Sequence, residues 1–374
     1  MRPFLFVCIL SSVGYGEEWA SHVIAAGFPS NTAVAFDFTG DGKVDVVAND
    51  AQGKEDILFV APDWKRVVLR ANADGVFHFG VADADGDGDP DVIGSRYSPG
   101  FLYWLERPKE PLIQPWKMHV IDDSGKGGID GIHGLFIADV NGDKKADIVA
   151  NSAQPKGAFA NSIVWYEAPK FERRVFARGD APGLSHYMGV GDVNGDGLQD
   201  ISGAAKIAEG GNWFAWWEQP RNGTLPWKKH VVAEKQEGAS NILMADVNKD
   251  GKMDFIASRG HGKGLLWFEA PKWVAHDIDT GHVYPHSLAI DDIDRDGDVD
   301  AVTCSAVYDG SVPTGAAWFE NDGKGKFKTH LIAAGQASYD TRLADMDGDG
   351  DLDVLVAGQD SRNVVWFENH IGKP

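Results

Sequence analysis

The chain has 374 residues, 43% of them hydrophobic and 24% charged, and carries a formal charge of -21 at pH 7. That is globular composition with enough length for a large core. The acidity disfavours nucleic acid as a ligand, and beyond an apolar leader no run approaches the ~20 residues of a membrane helix. With 45 Gly, 13 Trp and few long apolar helical runs, the balance points to an all-β protein rich in turns.

In chain order, "MRPFLFVCILSSVGYGEEWA" comes first. Arg2, an apolar stretch from Phe4 to Leu10 and a small-residue exit at Gly14-Tyr15-Gly16 predict a signal peptide over residues 1–16. The protein is therefore expected to be secreted or periplasmic, with residues 17–374 forming one domain. Cys8 would leave with the signal, so Cys304 in "AVTCSAV" has no internal disulfide partner and reads as a buried, inert thiol. "EWASHVI", Glu18 to Ile24, reads as a strand.

A nine-residue motif then recurs seven times, its starts between 46 and 56 residues apart. The copies begin with "DFTGDGKVD" (Asp37, Thr39, Asp41, Asp45) and "DADGDGDPD" (Asp83, Asp85, Asp87, Asp91). "DVNGDKKAD" (Asp139, Asn141, Asp143, Asp147) and "DVNGDGLQD" (Asp192, Asn194, Asp196, Asp200) follow. The last three are "DVNKDGKMD" (Asp246, Asn248, Asp250, Asp254), "DIDRDGDVD" (Asp292, Asp294, Asp296, Asp300) and "DMDGDGDLD" (Asp345, Asp347, Asp349, Asp353).

Two further elements keep step. Trp-x-Glu follows at Trp104, Trp165, Trp216, Trp267, Trp318 and Trp366, while the first repeat has only "ILFVAP" there. A segment such as "WKMHVI" or "WKKHVV" comes next, with "FERRVF" at 171 a looser match. Each repeat thus predicts four short strands, and seven such units predict a seven-bladed β-propeller. The last repeat lacks its fourth strand. Residues 18–24 supply it from the other end of the chain and close the ring.

Oxygen ligands at alternate loop positions suit calcium, which takes six to eight of them. Position 6 is Gly in six copies, allowing a sharp turn. An EF-hand is excluded, because position 12 is Ala48, Gly94, Ala150, Gly203, Ala257, Thr303 or Val356 rather than Glu. The ligand positions hold 24 of the 56 acidic residues, and the other 32 nearly balance 35 Lys and Arg. The acidity is the loops' own. Thr39 is a poorer ligand, and Lys144 replaces the turn glycine with a competing charge.

On these motifs the chain, over about residues 18 to 368, resembles the FG-GAP/VCBS family of calcium-binding seven-bladed propellers, whose best-known relative is the integrin α-subunit head. The resemblance implies fold and calcium, not integrin partners; the seven loops offer up to seven Ca2+ sites, although integrins do not carry a loop in every blade. The Phe-Gly and Gly-Ala-Pro signatures are not present as such.

With calcium as scaffolding, function is expected on the opposite face. His78, His133, His186 and His286 stand five or six residues before a leading Asp, where innermost strands begin, and are candidate catalytic residues. Asn31, Asn241 and Tyr339 take that place in the other repeats. Arg96, Tyr97, Lys206, Arg259, His261 and Tyr308 fall in loops on the same face and are candidate ligand-binding residues. His282 and Tyr284 lie nearby.

Converging histidines suit a further transition metal or acid–base work, and basic residues suit an anionic ligand such as a uronate. This organisation is similar to propeller polysaccharide lyases and to the propeller part of fungal aldos-2-ulose dehydratase. The expectation is a monomeric module binding carbohydrate or protein, with a lyase or dehydratase as the alternative. The fourth-strand histidines (His22, His119, His230, His276, His330) and the Trp residues read as repeat architecture.

Overall fold

In every repeat the Asp loop turns the chain between two antiparallel strands, and two more strands complete a four-stranded sheet. The computed structural model describes residues 19–184, 186–206 and 211–371, which form seven such sheets, the blades. Among these residues the helical structure is a single 3-10 turn at Ser124–Lys126. The expected signal peptide lies outside the described residues. No helix among them is long and apolar enough to cross a membrane.

The ring closes as expected. Trp19–Ala26 pairs antiparallel with Asn363–Asn369, so the last blade takes its outermost strand from the beginning of the chain. This pairing spares the ring an unpaired strand edge at its seam.

Burial follows from stacking blade on blade. The second and third strands, such as Asp147–Ser152 and Ser162–Glu167, are buried almost throughout, because both faces of each sheet meet a neighbour. Fourth strands, such as Lys117–Asp123, are largely open to solvent. The core is accordingly seven clusters, each shared by two adjacent blades; Trp318, for example, packs with Val354, Val356 and Phe367 of the next blade. Cys304 lies in that cluster, fully buried, with its thiol pushed up to about 12 by desolvation.

Trp-x-Glu and the fourth-strand histidine form one device. In five blades the histidine faces the Trp across the strand pair, stacks on it and bonds the Glu. His119 lies 4.1 Å from Trp104 between ring centroids, with Nε2 2.6 Å from Glu106. In the third blade, the looser match, Arg174 takes the place of His: its guanidinium lies 5.4 Å from the Trp165 ring centre and bonds Glu167. The first blade has Leu58 opposite Val67 and no such device.

Candidate functional site

The two candidate sites sit at opposite ends of the innermost strands. At one end, each Asp loop is held by its own carboxylates. The position-1 Asp accepts the position-6 backbone N–H in all seven loops, for instance Gly197 to Asp192 at 2.8 Å and Lys144 to Asp139 at 2.8 Å. That closure requires a left-handed backbone at position 6; Gly88 has φ 93° and Lys144 is forced to 67°.

The position-9 Asp has a different task. Asp353 is buried, accepting from Met346 N–H and Asn369 N–H, both at 2.8 Å, and so ties the loop to the end of the third strand. Asp45, Asp91, Asp147, Asp200, Asp254 and Asp300 make the equivalent pair of bonds. Burial pushes Asp91, Asp300 and Asp353 up to about 7, although those backbone bonds pull the other way.

The residues fit a hard dication. Where position 3 is also Asp, three carboxylate oxygens lie within 4.8 Å of one another: Asp83, Asp85 and Asp91; Asp292, Asp294 and Asp296; Asp345, Asp347 and Asp353. Lysines contest other loops, with Lys252 2.5 Å from Asp250 and Lys145 3.5 Å from Asp143.

At the opposite end, four blades bring their histidines together. The His133 and His186 ring centroids are 4.0 Å apart, His186 and His286 3.9 Å, and His78 and His186 6.2 Å. Instead of lining an open mouth, these rings plug the channel: each is less than 9% exposed. His261 joins them from a loop, its Nε2 3.0 Å from His186 Nε2 and 2.9 Å from Lys206 Nζ.

Burial, the largest cause, keeps these rings from protonating. It holds His78 at about 4 and His286 at about 3, and puts His133, His186 and His261 well below the usual value, with Lys206 and neighbouring imidazoles adding to it for these three. Lys206 is itself pushed down to about 8 by desolvation. His286 Nδ1 donates to the Tyr339 carbonyl at 3.0 Å, which leaves Nε2 as a bare lone pair; that atom is buried without a partner.

An aromatic rim surrounds the cluster. Tyr308 lies 4.7 Å from His261, Tyr339 4.5 Å from His286 and Tyr97 5.3 Å from His133, between ring centroids. Tyr97 and Tyr308 are 37% and 39% exposed, so they face solvent. Of the six loop candidates, Tyr97, Lys206, His261 and Tyr308 therefore meet at the cluster, whereas Arg96 and Arg259 are engaged elsewhere. Arg96 bonds the Pro99 carbonyl and lies over Phe101; Arg259 bonds Gln236. His282 bonds Ser305, and Tyr284 bonds Asp309.

Sequence reasoning missed Phe77, whose ring centroid lies 4.9 Å from that of His133 in a tilted contact, and the layer beneath the histidines. There Asp340 accepts from Tyr187 and Thr32 and pairs with Arg342 at 2.9 Å. Arg342, Thr341 and Tyr187 in turn border a channel cavity of about 380 Å³ on the loop side. Phe77 adjoins His78 in the sequence, but Asp340 and Arg342 occur in one blade only and leave no repeat signal.

No curated protein matches the chain. Among solved structures it is similar to a lectin from Agrocybe aegerita described as recognising non-reducing terminal N-acetylglucosamine, at 16% identity and a TM-score of 0.51, covering 95% of this chain and 100% of that one. It is also similar to a chain of the BBS1N complex with ARL6DN, at 11% identity and a TM-score of 0.62, covering 94% and 96%. These likenesses concern the fold. The FG-GAP-like repeat profile matches residues 83–150, 161–257 and 292–356, more than half of the chain, and the protein belongs to that family.

Proposed function

We propose that the protein is an exported, monomeric, calcium-stabilised propeller that binds a carbohydrate at the histidine–tyrosine cluster, on the face opposite the Asp loops. The observation that carries this reading is the histidine cluster flanked by Lys206 and the exposed Tyr308 at His261 and by the exposed Tyr97 at His133. Aromatic faces with polar tips and an adjacent cation suit a hydroxylated, anionic ligand such as a uronate-containing glycan. The test is calorimetric titration of the calcium-loaded chain with neutral, N-acetylglucosamine-terminated and uronate glycans. Binding is expected to fall at least tenfold in Tyr308→Ala and His261→Ala and to persist in His119→Ala. Silence across the panel, or affinity indifferent to both substitutions, would sink the reading.

A lyase or dehydratase is the second reading, favoured by the bare Nε2 of His286 near two phenols held in the protonated form. β-Elimination requires a base to take the proton α to the uronate carboxyl and a tyrosine O–H to protonate the departing oxygen as the C–O bond breaks and C=C forms; His286 would act as that base only once substrate reaches its buried ring. Ultraviolet-absorbing unsaturated ends would then appear, and His286→Ala would abolish them.

A further inference from the structure

We propose that His186, His261 and His286 form a binding site for one transition-metal dication of the zinc class, separate from the Asp-loop sites. One ring nitrogen from each lies within 4.8 Å of the others. The Nε2 atoms of His186 and His261 stand 3.0 Å apart. Two nitrogens each about 2.0–2.1 Å from a shared ion are separated by about 3.0–3.4 Å, so this pair is already at ligand spacing. His261, partly exposed and carried on a turn, is the member with room to adjust.

The hydrogen bonding of the third ligand points the same way. A metal-bound histidine commonly donates its other ring N–H to a backbone carbonyl, which fixes the tautomer and aims the free lone pair. His286 does this with Tyr339, and the lone pair so aimed is a buried acceptor without a partner. Leaving such an atom unsatisfied is unfavourable unless something sits on it.

The arrangement is also crowded at His261. Its Nε2 faces both His186 Nε2 and Lys206 Nζ, and a neutral imidazole nitrogen has one lone pair for two such neighbours. An ion between the rings would take the lone pairs of all three histidines and displace the Lys206 ammonium. Three neutral nitrogens without a carboxylate select a borderline-soft ion over calcium or magnesium. Tyr308, 4.7 Å from His261 between ring centroids and partly exposed, marks the side from which a ligand oxygen would reach the fourth position.

Cobalt(II) tests this on the full chain in excess calcium, which keeps the Asp loops occupied. Coordination by three histidines at low coordination number gives an intense visible band, whereas six oxygens give a faint one. One equivalent of intense band is expected, bleached by zinc. His261→Ala and His286→Ala should weaken cobalt binding at least tenfold, His119→Ala should not, and Lys206→Met should tighten it on the order of tenfold by removing a like charge. Circular dichroism identifies any variant that fails to fold, and His261→Ala, at a partly exposed site, stands in for it. No intense band in the wild-type chain, or a band unchanged in His261→Ala, would overturn the site. Glycan binding without the cobalt band removes the metal and leaves the ligand reading; the band without glycan binding does the reverse.

Discussion

His330 lies flat against Trp318, ring centroids 4.3 Å apart, while its Nε2 bonds Glu320. The two rings are a directly opposed cross-strand pair, and such pairs contribute on the order of 1 kcal/mol. His330→Ala is expected to destabilise the chain by about 1–1.5 kcal/mol in chemical denaturation. His330→Arg should cost less, since Arg174 already fills that place against Trp165. The His330 bond holds the Glu320 carboxyl below its ordinary value, so its contribution is present above the unfolded pKa of about 4.3 and fades as pH falls through the folded one. A variant losing nothing at pH 7 would place the pair's stacking outside the folding energetics.

Positions 9 and 3 of one loop should separate architecture from metal. Asp353 is buried on two backbone N–H groups, and orphaning both costs about 2–5 kcal/mol. Asp353→Ala should therefore lower the melting temperature even in chelator. Asp347 is exposed, and Asp347→Ala should cost little there but lose part of any calcium-dependent gain. Equal behaviour of the two variants in chelator would refute this division.

For the unsubstituted chain, calcium is expected to raise the melting temperature and chelator to lower it, because an ion held only by the folded state stabilises it by mass action. Equilibrium dialysis with elemental analysis should find several calcium ions per chain. The loops centred on Asp292 and Asp345, with three clustered carboxylates each, should fill before the Asp139 loop, where Lys145 pairs with Asp143. An unchanged melt with no calcium detected would sink the calcium proposal.

The fold was legible because its determinants repeat. Counterparts of Trp104 and His119 recur in the same order after each Asp loop in blade after blade, and a feature that keeps step with a repeat marks a blade position whatever its local propensity. The clustering of His133, His186 and His286 was legible for the same reason, since equal offsets from a leading Asp put them at equal depths. Their burial was not, as it depends on how tightly seven inner strands converge and on Phe77 packing over His133. The outward paths of Arg96 and Arg259 were equally hidden, because a loop's place on one face leaves open which way a long side chain turns.

Asp340, buried, and Arg342, half-buried, pair beneath the histidines. Burial alone would raise the Asp340 carboxyl, but Arg342, His78, Tyr187 and Thr32 together hold it below its ordinary value. The pair's stabilisation is thus complete above the unfolded pKa of about 3.9 and is lost as pH falls through the folded value. Removing one partner strands the other. Asp340→Ala leaves the Arg342 guanidinium beside the channel cavity with its carboxylate gone, at a cost of about 3 kcal/mol. Replacing both, as Asp340→Ala with Arg342→Met, should recover most of that loss, because the desolvated charge disappears along with its partner. Denaturation midpoints of the two single variants and the double variant form a cycle that measures the coupling directly. Additive losses would show that the two side chains act independently and that the plug is held by Tyr187 and the histidines instead.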